Sequence, residues 1–189
     1  MNKMLKLKLI FVTLSCCGLI MYLLFYFHQY SISNNQSALE SHFKEWLKNE
    51  SKEYEPKILD VRQLDKSNSY LVLFETKDKN QIGYARYLKG WNGKFKPDNY
   101  HFGTEKVRFE EIDTNIGKFG IVLGLNPALK INHIKAPIVD EALSFTFKVS
   151  EDQWFFRYKK IPKDINHQVF SNLELFDKNN KELEYTELF

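Results

Sequence analysis

The chain has 189 residues and a formal net charge of +3, and 43% of its residues are apolar and 15% aromatic. This composition excludes a disordered chain and is rich enough to build one domain or two small ones. Lys3, Lys6 and Lys8 account for the whole net charge, so the remainder is neutral. It lacks the surplus of Lys and Arg with which nucleic-acid-binding proteins neutralise phosphates, and we expect no nucleic-acid partner.

Residues 9–27 form an uncharged, mostly apolar run that predicts a transmembrane helix. At 1.5 Å per residue the helix is roughly 28 Å long, close to the thickness of the hydrocarbon core. Tyr22, Tyr26 and Tyr30 lie toward its far end, where amphipathic rings favour the membrane interface. Because lysines precede the run, the positive-inside rule predicts a cytoplasmic tail (1–8), a signal anchor in the bilayer (9–27), a linker (28–35) and an extracellular remainder.

Three other interpretations of this run stay open. A cleaved signal peptide has a shorter apolar stretch followed by small residues, whereas this one ends in LLFYFH. A lipoprotein is cut before a lipidated cysteine, and the residues around Cys16 and Cys17 resemble such a site, although mostly apolar residues follow them. The third interpretation is a buried helix of a soluble core. These two cysteines are the only ones in the chain, so the exported part contains no disulfide.

Residues 36–129 are predicted to form an α+β domain with one amphipathic helix packed on an antiparallel sheet. Ser37 and Glu40 have the spacing of a capping box. Leu39, Phe43, Trp46 and Leu47 then form one apolar stripe, which is typical of a helix face that packs on a core. The helix is expected to end before Pro56, because the residue before a proline disfavours helical geometry.

After Pro56 the apolar period changes from that of a helix to that of strands. The segments 70–74, 81–89, 107–109 and 119–123 are predicted strands, and Asn92-Gly93 is a strong two-residue hairpin signal. Asn126-Pro127 breaks the chain. Residues 130–189 are predicted to form a small all-β unit with strands at 143–149, 154–158, 173–176 and 183–185. The fold class is therefore α+β, behind an N-terminal transmembrane helix.

The sequence contains no pattern that predicts chemistry. It has no nucleophile elbow, phosphate loop or dinucleotide-binding fingerprint, and no His pair at the spacing of a helical zinc site. Asp98, His101 and Glu105 are the densest set of candidate metal ligands, but a turn at Asp98 and Asn99 followed by a strand edge at His101 is the favoured interpretation. We expect no catalytic residue, no metal site, no cofactor and no enzymatic activity.

Trp91 is the one candidate for a partner contact. It lies in the segment 89–94, KGWNGK, at the tip of the predicted hairpin. A turn exposes its residues, and an exposed Trp is a frequent centre of protein interfaces. The alternative is that the indole folds back over the edge of the sheet.

The layout resembles that of uncharacterised single-pass membrane-anchored proteins of low-GC Gram-positive bacteria. The resemblance rests on the lysine-bearing tail and apolar run, the 89–94 hairpin, Gly117-Lys118-Phe119 and the segment 173–179, LELFDKN. These motifs are structural turns and strand starts. Because no activity is established for such proteins, the resemblance implies a location and a source and transfers no site.

Two functions from different classes follow from these expectations. The leading hypothesis is a membrane-tethered, non-enzymatic interaction module that contacts a protein partner in the cell envelope. The alternative is an extracytoplasmic small-ligand-binding domain, in which a helix over a curved sheet leaves an apolar cavity. A wide internal pocket would favour the second, and a filled core with an exposed apolar patch would favour the first.

Overall fold

The computed structural model describes residues 3–50, 56–76, 81–103, 105–137, 144–163, 165 and 172–188. Two helices come first, α1 (Lys3–Gln29) and α2 (Gln36–Glu50). They are followed by the strands β1 (Pro56–Gln63), β2 (Ser69–Thr76), β3 (Gln81–Lys89), β4 (Phe95–Phe102), β5 (Val107–Thr114), β6 (Gly117–Leu125), β7 (His133–Pro137), β8 (Ser144–Lys148), β9 (Trp154–Lys160) and β10 (Glu174–Phe176), and by a short helix α3 (Tyr185–Leu188).

The strands form three antiparallel sheets, and the α+β prediction is confirmed. Sheet A is the meander β1-β2-β3-β4, sheet B has the order β5-β6-β9, and sheet C has the order β10-β7-β8. The β6–β9 pairing, with Phe119 opposite Lys160, joins strands from both sides of the predicted boundary at residue 129. The segments 36–129 and 130–189 therefore share sheet B.

The elements stack in four layers, with α2 on sheet A, sheet A on sheet B, and sheet B on sheet C. Sheet A is buried on both faces: Val72 and Phe74 pack toward α2, whereas Leu71 and Leu73 pack toward sheet B. Successive side chains of a strand point to opposite faces, so a strand buried on both sides is apolar without alternation. That is why the segment 70–74 is continuously hydrophobic.

Helix α2 packs on sheet A through the predicted stripe. Leu39, Phe43 and Leu47 are buried, and Trp46 packs against the same cluster. The helix begins before Ser37, and Asn35 is its cap, because Asn35 Oδ1 accepts a hydrogen bond of 2.8 Å from the Ala38 backbone N–H. The capping-box prediction at Ser37 is therefore wrong, since an Asn two residues earlier satisfies the same requirement. The segment 51–55, in which the helix was predicted to end before Pro56, lies outside the described residues.

Helix α1 is long and apolar enough to cross a membrane over Ile10–Gln29. Only 6% of that span is buried against the rest of the chain. A core helix of a soluble domain would be mostly buried, so the low burial favours the membrane interpretation over the core-helix one. Cys16 and Cys17 lie exposed on this helix.

The predicted strand at 183–185 is not formed as such. Glu182 makes an isolated bridge with Phe176, the Leu183 N–H donates to the Leu175 carbonyl, and helix α3 starts at Tyr185. A turn connects the two segments, in which the Asp177 N–H donates to the Lys181 carbonyl at 2.9 Å.

Candidate functional site

The candidate site is the contact between the C-terminal turn of α1 and the β3–β4 hairpin. Four aromatic residues form it: Tyr26, Phe27, Tyr30 and Trp91, here called the aromatic junction. The Trp91 ring stacks on Tyr26 with centroids 4.6 Å apart and an interplanar angle of 20°, and Tyr26 stacks on Tyr30 at 4.5 Å. Phe27 meets the edge of Trp91 at 5.3 Å. Tyr30 directly follows α1, and its N–H donates to the Tyr26 carbonyl at 2.9 Å. The two rings therefore share one face, as residues four apart on a helix do.

Backbone groups reinforce the aromatic junction. The Trp91 N–H donates to Tyr26 Oη at 2.7 Å, and the Asn92 side-chain amide donates to the Tyr30 carbonyl at 3.0 Å. Ile32 pairs with Phe95 through two backbone hydrogen bonds of 3.1 and 2.9 Å. The predicted linker 28–35 is thus attached to the edge of sheet A.

The hairpin loop explains why the indole points toward α1. The Gly93 N–H donates to the Gly90 carbonyl and the Gly90 N–H donates to the Lys94 carbonyl, so Trp91, Asn92 and Gly93 form the loop. Gly93 has φ +76°, and it is the only loop residue in the left-handed region. The predicted two-residue turn at Asn92-Gly93 is therefore a three-residue loop, in which a glycine in the left-handed region follows the turn. This places Trp91 first in the loop, beside the helix.

Gly90 permits the close approach of the helix to the hairpin. A Cβ at this position would lie 2.3 Å from Tyr26 Oη and 2.6 Å from Tyr30 Cδ1. Any larger residue must displace at least one of these rings, so the glycine is a steric requirement of the aromatic junction.

Trp91 remains 66% exposed despite these contacts. Among the described residues after Gln29, the exposed large hydrophobic side chains are those of Trp91, Leu129 (48%) and Tyr185 (43%). The structure therefore gives Trp91 one intramolecular partner, α1, and leaves its other face open. Its predicted contact with a separate partner remains a prediction.

One lysine contacts the aromatic junction, and two others lie in the same hairpin. Lys96 lies over the Tyr30 ring at 5.3 Å and Lys89 over the Tyr70 ring at 5.8 Å, while Lys94 is exposed in the hairpin. The β1–β2 turn with Lys66 is attached to the same end, because the Lys89 N–H donates to the Asn68 carbonyl at 2.8 Å.

The β5–β6 turn adjoins this group of turns. The Asn68 N–H donates to Asn115 Oδ1 at 2.9 Å, which joins the turn of sheet B to those of sheet A. Three turns thus lie together at one end of the strands, here called the junction end.

The candidate metal ligands do not converge. Asp98 pairs with Arg86 at 3.4 Å, and His101 stacks on Tyr84 and lies 3.9 Å from Glu110. Within the described ranges, no group of three or more His, Cys, Asp and Glu side chains is placed to hold a metal ion.

The side chains beside His101 instead form a polar contact between sheets A and B. The Tyr84 hydroxyl donates to Glu110 at 2.6 Å, and Arg108 Nε lies 3.0 Å from the same carboxylate. Burial, with the Glu110 charge beside it, raises the pKa of Tyr84 well above its ordinary value. The phenol is therefore neutral and serves as a hydrogen-bond donor.

The loop that carries the exposed Leu129 lies at the end of the strands opposite the junction end, and the buried Asn126 anchors it. Asn126 is fully buried; its amide donates to the Ile131 and Val149 carbonyls, and its Oδ1 accepts from the Ile131 N–H. These bonds hold Ala128 and Leu129 at φ +50° and +55°, which costs roughly 1 kcal/mol each for residues with a Cβ.

Leu129 projects from this strained loop beside a groove of about 530 Å³, also lined by Lys130, Asn132, Ser150, Asp177, Lys178 and Leu183. The Asn126-Pro127 motif predicted only a break in the chain. Backbone strain and burial of an Asn cannot be recognised from residue type, so sequence reasoning missed this loop.

Comparisons with protein-family models, with curated proteins and with solved structures found no significant match for this chain.

Proposed function

We propose that this protein is a membrane-tethered, non-enzymatic interaction module of the cell envelope, with its N-terminus in the cytoplasm and residues 36–189 outside. The length and apolar character of α1 support the tether, and Lys3, Lys6 and Lys8 support the orientation. The tyrosines at the far end of α1 have the position of an interfacial aromatic belt.

The observation that carries the proposal is the aromatic junction. A domain on a flexible linker samples many orientations relative to its membrane, whereas here stacked rings and hydrogen bonds attach the hairpin directly to the last turn of α1. The junction end is therefore held near the bilayer, and the opposite end is presented away from it.

The Leu129 loop at that opposite end is the surface we propose for a protein partner. It combines an exposed apolar side chain, a strained backbone held by buried hydrogen bonds, and an adjacent groove. Strained backbone of this kind is concentrated at functional sites, and apolar side chains that fill a pocket of the partner dominate many interfaces.

The ligand-binding alternative has less support. It required an apolar cavity between the helix and the sheet, and that space is occupied by Phe43 and Leu47 from α2 packed on Phe74 and Tyr87. The groove beside Leu129 is a surface feature of another part of the molecule.

Cysteine accessibility in intact cells tests the tether and its orientation. With Cys16 and Cys17 replaced by serine, a membrane-impermeant maleimide should label Lys44→Cys, at an exposed position of α2, and spare Lys3→Cys. Labelling of both, or loss of the protein from membranes washed with carbonate, would refute the topology. N-terminal sequencing that begins at Cys16, at Cys17 or after Phe27 would show processing instead of an uncleaved anchor.

Site-specific photo-crosslinking tests the partner surface. A photoreactive amino acid at position 129 should give one reproducible adduct in intact cells, whereas the same group at the exposed position 44 on α2 should not. Equal adduct patterns from both positions would remove the Leu129 loop as the contact surface.

A further inference from the structure

We propose that the β3–β4 hairpin tip is a second membrane-contact site, in which Trp91 enters the interfacial zone and the lysines of the junction end bind anionic phospholipid headgroups. This inference rests on the proposed function, since it requires that α1 spans the bilayer. In this proposal the binding partner of Trp91 is the membrane.

The depth of Trp91 follows from its contacts. Its ring stacks on Tyr26 and meets Phe27, and both residues lie within the apolar span Ile10–Gln29. At 1.5 Å per residue, Tyr26 lies about 4.5 Å before the end of that span along the helix axis. An indole beside it is therefore at the level where Trp and Tyr side chains are enriched in membrane proteins.

The exposure of Trp91 agrees with that position. One face of the indole is covered by Tyr26, and 66% of the residue is accessible. In water such a surface is a cost to solubility, whereas at the boundary between headgroups and acyl chains the ring buries its apolar body and keeps its N–H in a polar layer. The surface is continuous with α1, so the bilayer that surrounds the helix also reaches the indole.

Charge identifies the class of lipid. The three junction-end segments 64–68, 89–97 and 114–117 contain Lys66, Lys89, Lys94 and Lys96 against a single acidic residue, Asp65. The adjacent Asp98 is paired with Arg86 at 3.4 Å, so its charge is already balanced. Lysines held at a bilayer surface attract anionic lipids, each by a factor of about five. Beyond Lys3, Lys6 and Lys8 the chain has as many acidic residues as basic ones, 24 of each. The local excess of lysine is therefore offset by acidic residues elsewhere, and it gives the junction end a sign complementary to phosphatidylglycerol-like headgroups.

Lipid-specific fluorescence quenching of the full chain in vesicles tests the proposal. The vesicles contain phosphatidylcholine and phosphatidylglycerol in equal amounts, with brominated acyl chains on one or the other lipid. Subtracting the signal of Trp91→Phe isolates Trp91 from the other two tryptophans. We expect Trp91 to be quenched at least threefold more by brominated phosphatidylglycerol than by brominated phosphatidylcholine.

Substitution of lysines supplies the matched control. Lys66→Gln with Lys94→Gln should lower the ratio of the two quenching signals, because two of the four junction-end lysines lose their charge. Lys148→Gln with Lys178→Gln removes the same charge away from the junction end and should leave the ratio unchanged. High salt should lower the ratio of the native chain, because exposed charges are screened. Circular dichroism melts of each variant verify that the domain is folded.

The outcomes separate the two proposals. Flotation of the chain with the vesicles reports on the membrane span alone, and its failure would refute the proposed function. If the chain floats but Trp91 is quenched by aqueous iodide and by neither brominated lipid, the hairpin tip faces water and this inference is wrong. Equal quenching by both lipids would refute the preference for anionic headgroups.

Discussion

Replacement of Gly90 by alanine should detach the hairpin from α1 without unfolding the domain. The added Cβ would lie 2.3 Å from Tyr26 Oη and 2.6 Å from Tyr30 Cδ1, so the tyrosine rings must move. The φ of Gly90 is outside the left-handed region, so alanine adds no backbone strain of its own. The substitution should therefore weaken only the contacts between α1 and the hairpin.

The magnitude follows from the two interactions that depend on Tyr26. The hydrogen bond from the Trp91 N–H contributes about 1 kcal/mol, and the stacking of Trp91 on Tyr26 contributes a similar amount. A loss of about 2 kcal/mol changes the equilibrium between attached and detached hairpin by roughly 30-fold.

Amide hydrogen exchange of Trp91 measures this equilibrium directly, because the Tyr26 hydroxyl is the acceptor that protects that N–H. With the full chain in lipid nanodiscs, NMR should show about 30-fold faster exchange at Trp91 in Gly90→Ala. Gly18→Ala is the matched control, since a Cβ there meets no atom within 4 Å. Unchanged Trp91 exchange in Gly90→Ala, or equal acceleration in the control, would refute the steric reasoning.

Three further predictions concern stability. Asn126→Ala removes three buried hydrogen bonds and should lower the free energy of unfolding by about 3 kcal/mol, which corresponds to a fall in Tm of roughly 6–12 °C. The control Asn115→Ala removes one exposed hydrogen bond and should cost under about 1 kcal/mol. Similar thermal melts for the two variants would contradict the role given to Asn126. Phe43→Ala should lower the free energy of unfolding, measured with denaturant, by about 3–5 kcal/mol. The exposed neighbouring variant Lys44→Ala should lower it by less than about 0.5 kcal/mol. A small loss for Phe43→Ala would mean that α2 is not packed on sheet A. Burial lowers the pKa of His42, so the contribution of this residue to stability is complete above its ordinary pKa of about 6.5 and is lost as the pH falls. His42→Gln should therefore flatten the decline in Tm between about pH 7.5 and 5.5. Parallel profiles of Tm against pH for the variant and the native chain would assign that decline to other groups.

Local composition and periodicity were sufficient for much of the architecture. Charge-free length identified α1 as long enough to span a membrane, the stripe Leu39–Leu47 identified the buried face of α2, and alternation identified most strands. Each property is read within one element, because helix and strand repeats report directly which side chains face a core.

Contacts between distant segments were decided only by the tertiary structure. The periodicity of β6 shows that both faces are buried but not that β9 pairs with it, and this pairing is what joins the two predicted units. Trp91 and Tyr26 are 65 residues apart, and their stack depends on a loop of three residues where the sequence indicated two. A residue pattern indicates that a surface is apolar, but it does not indicate which other segment packs against that surface. That depends on the packing of the whole chain.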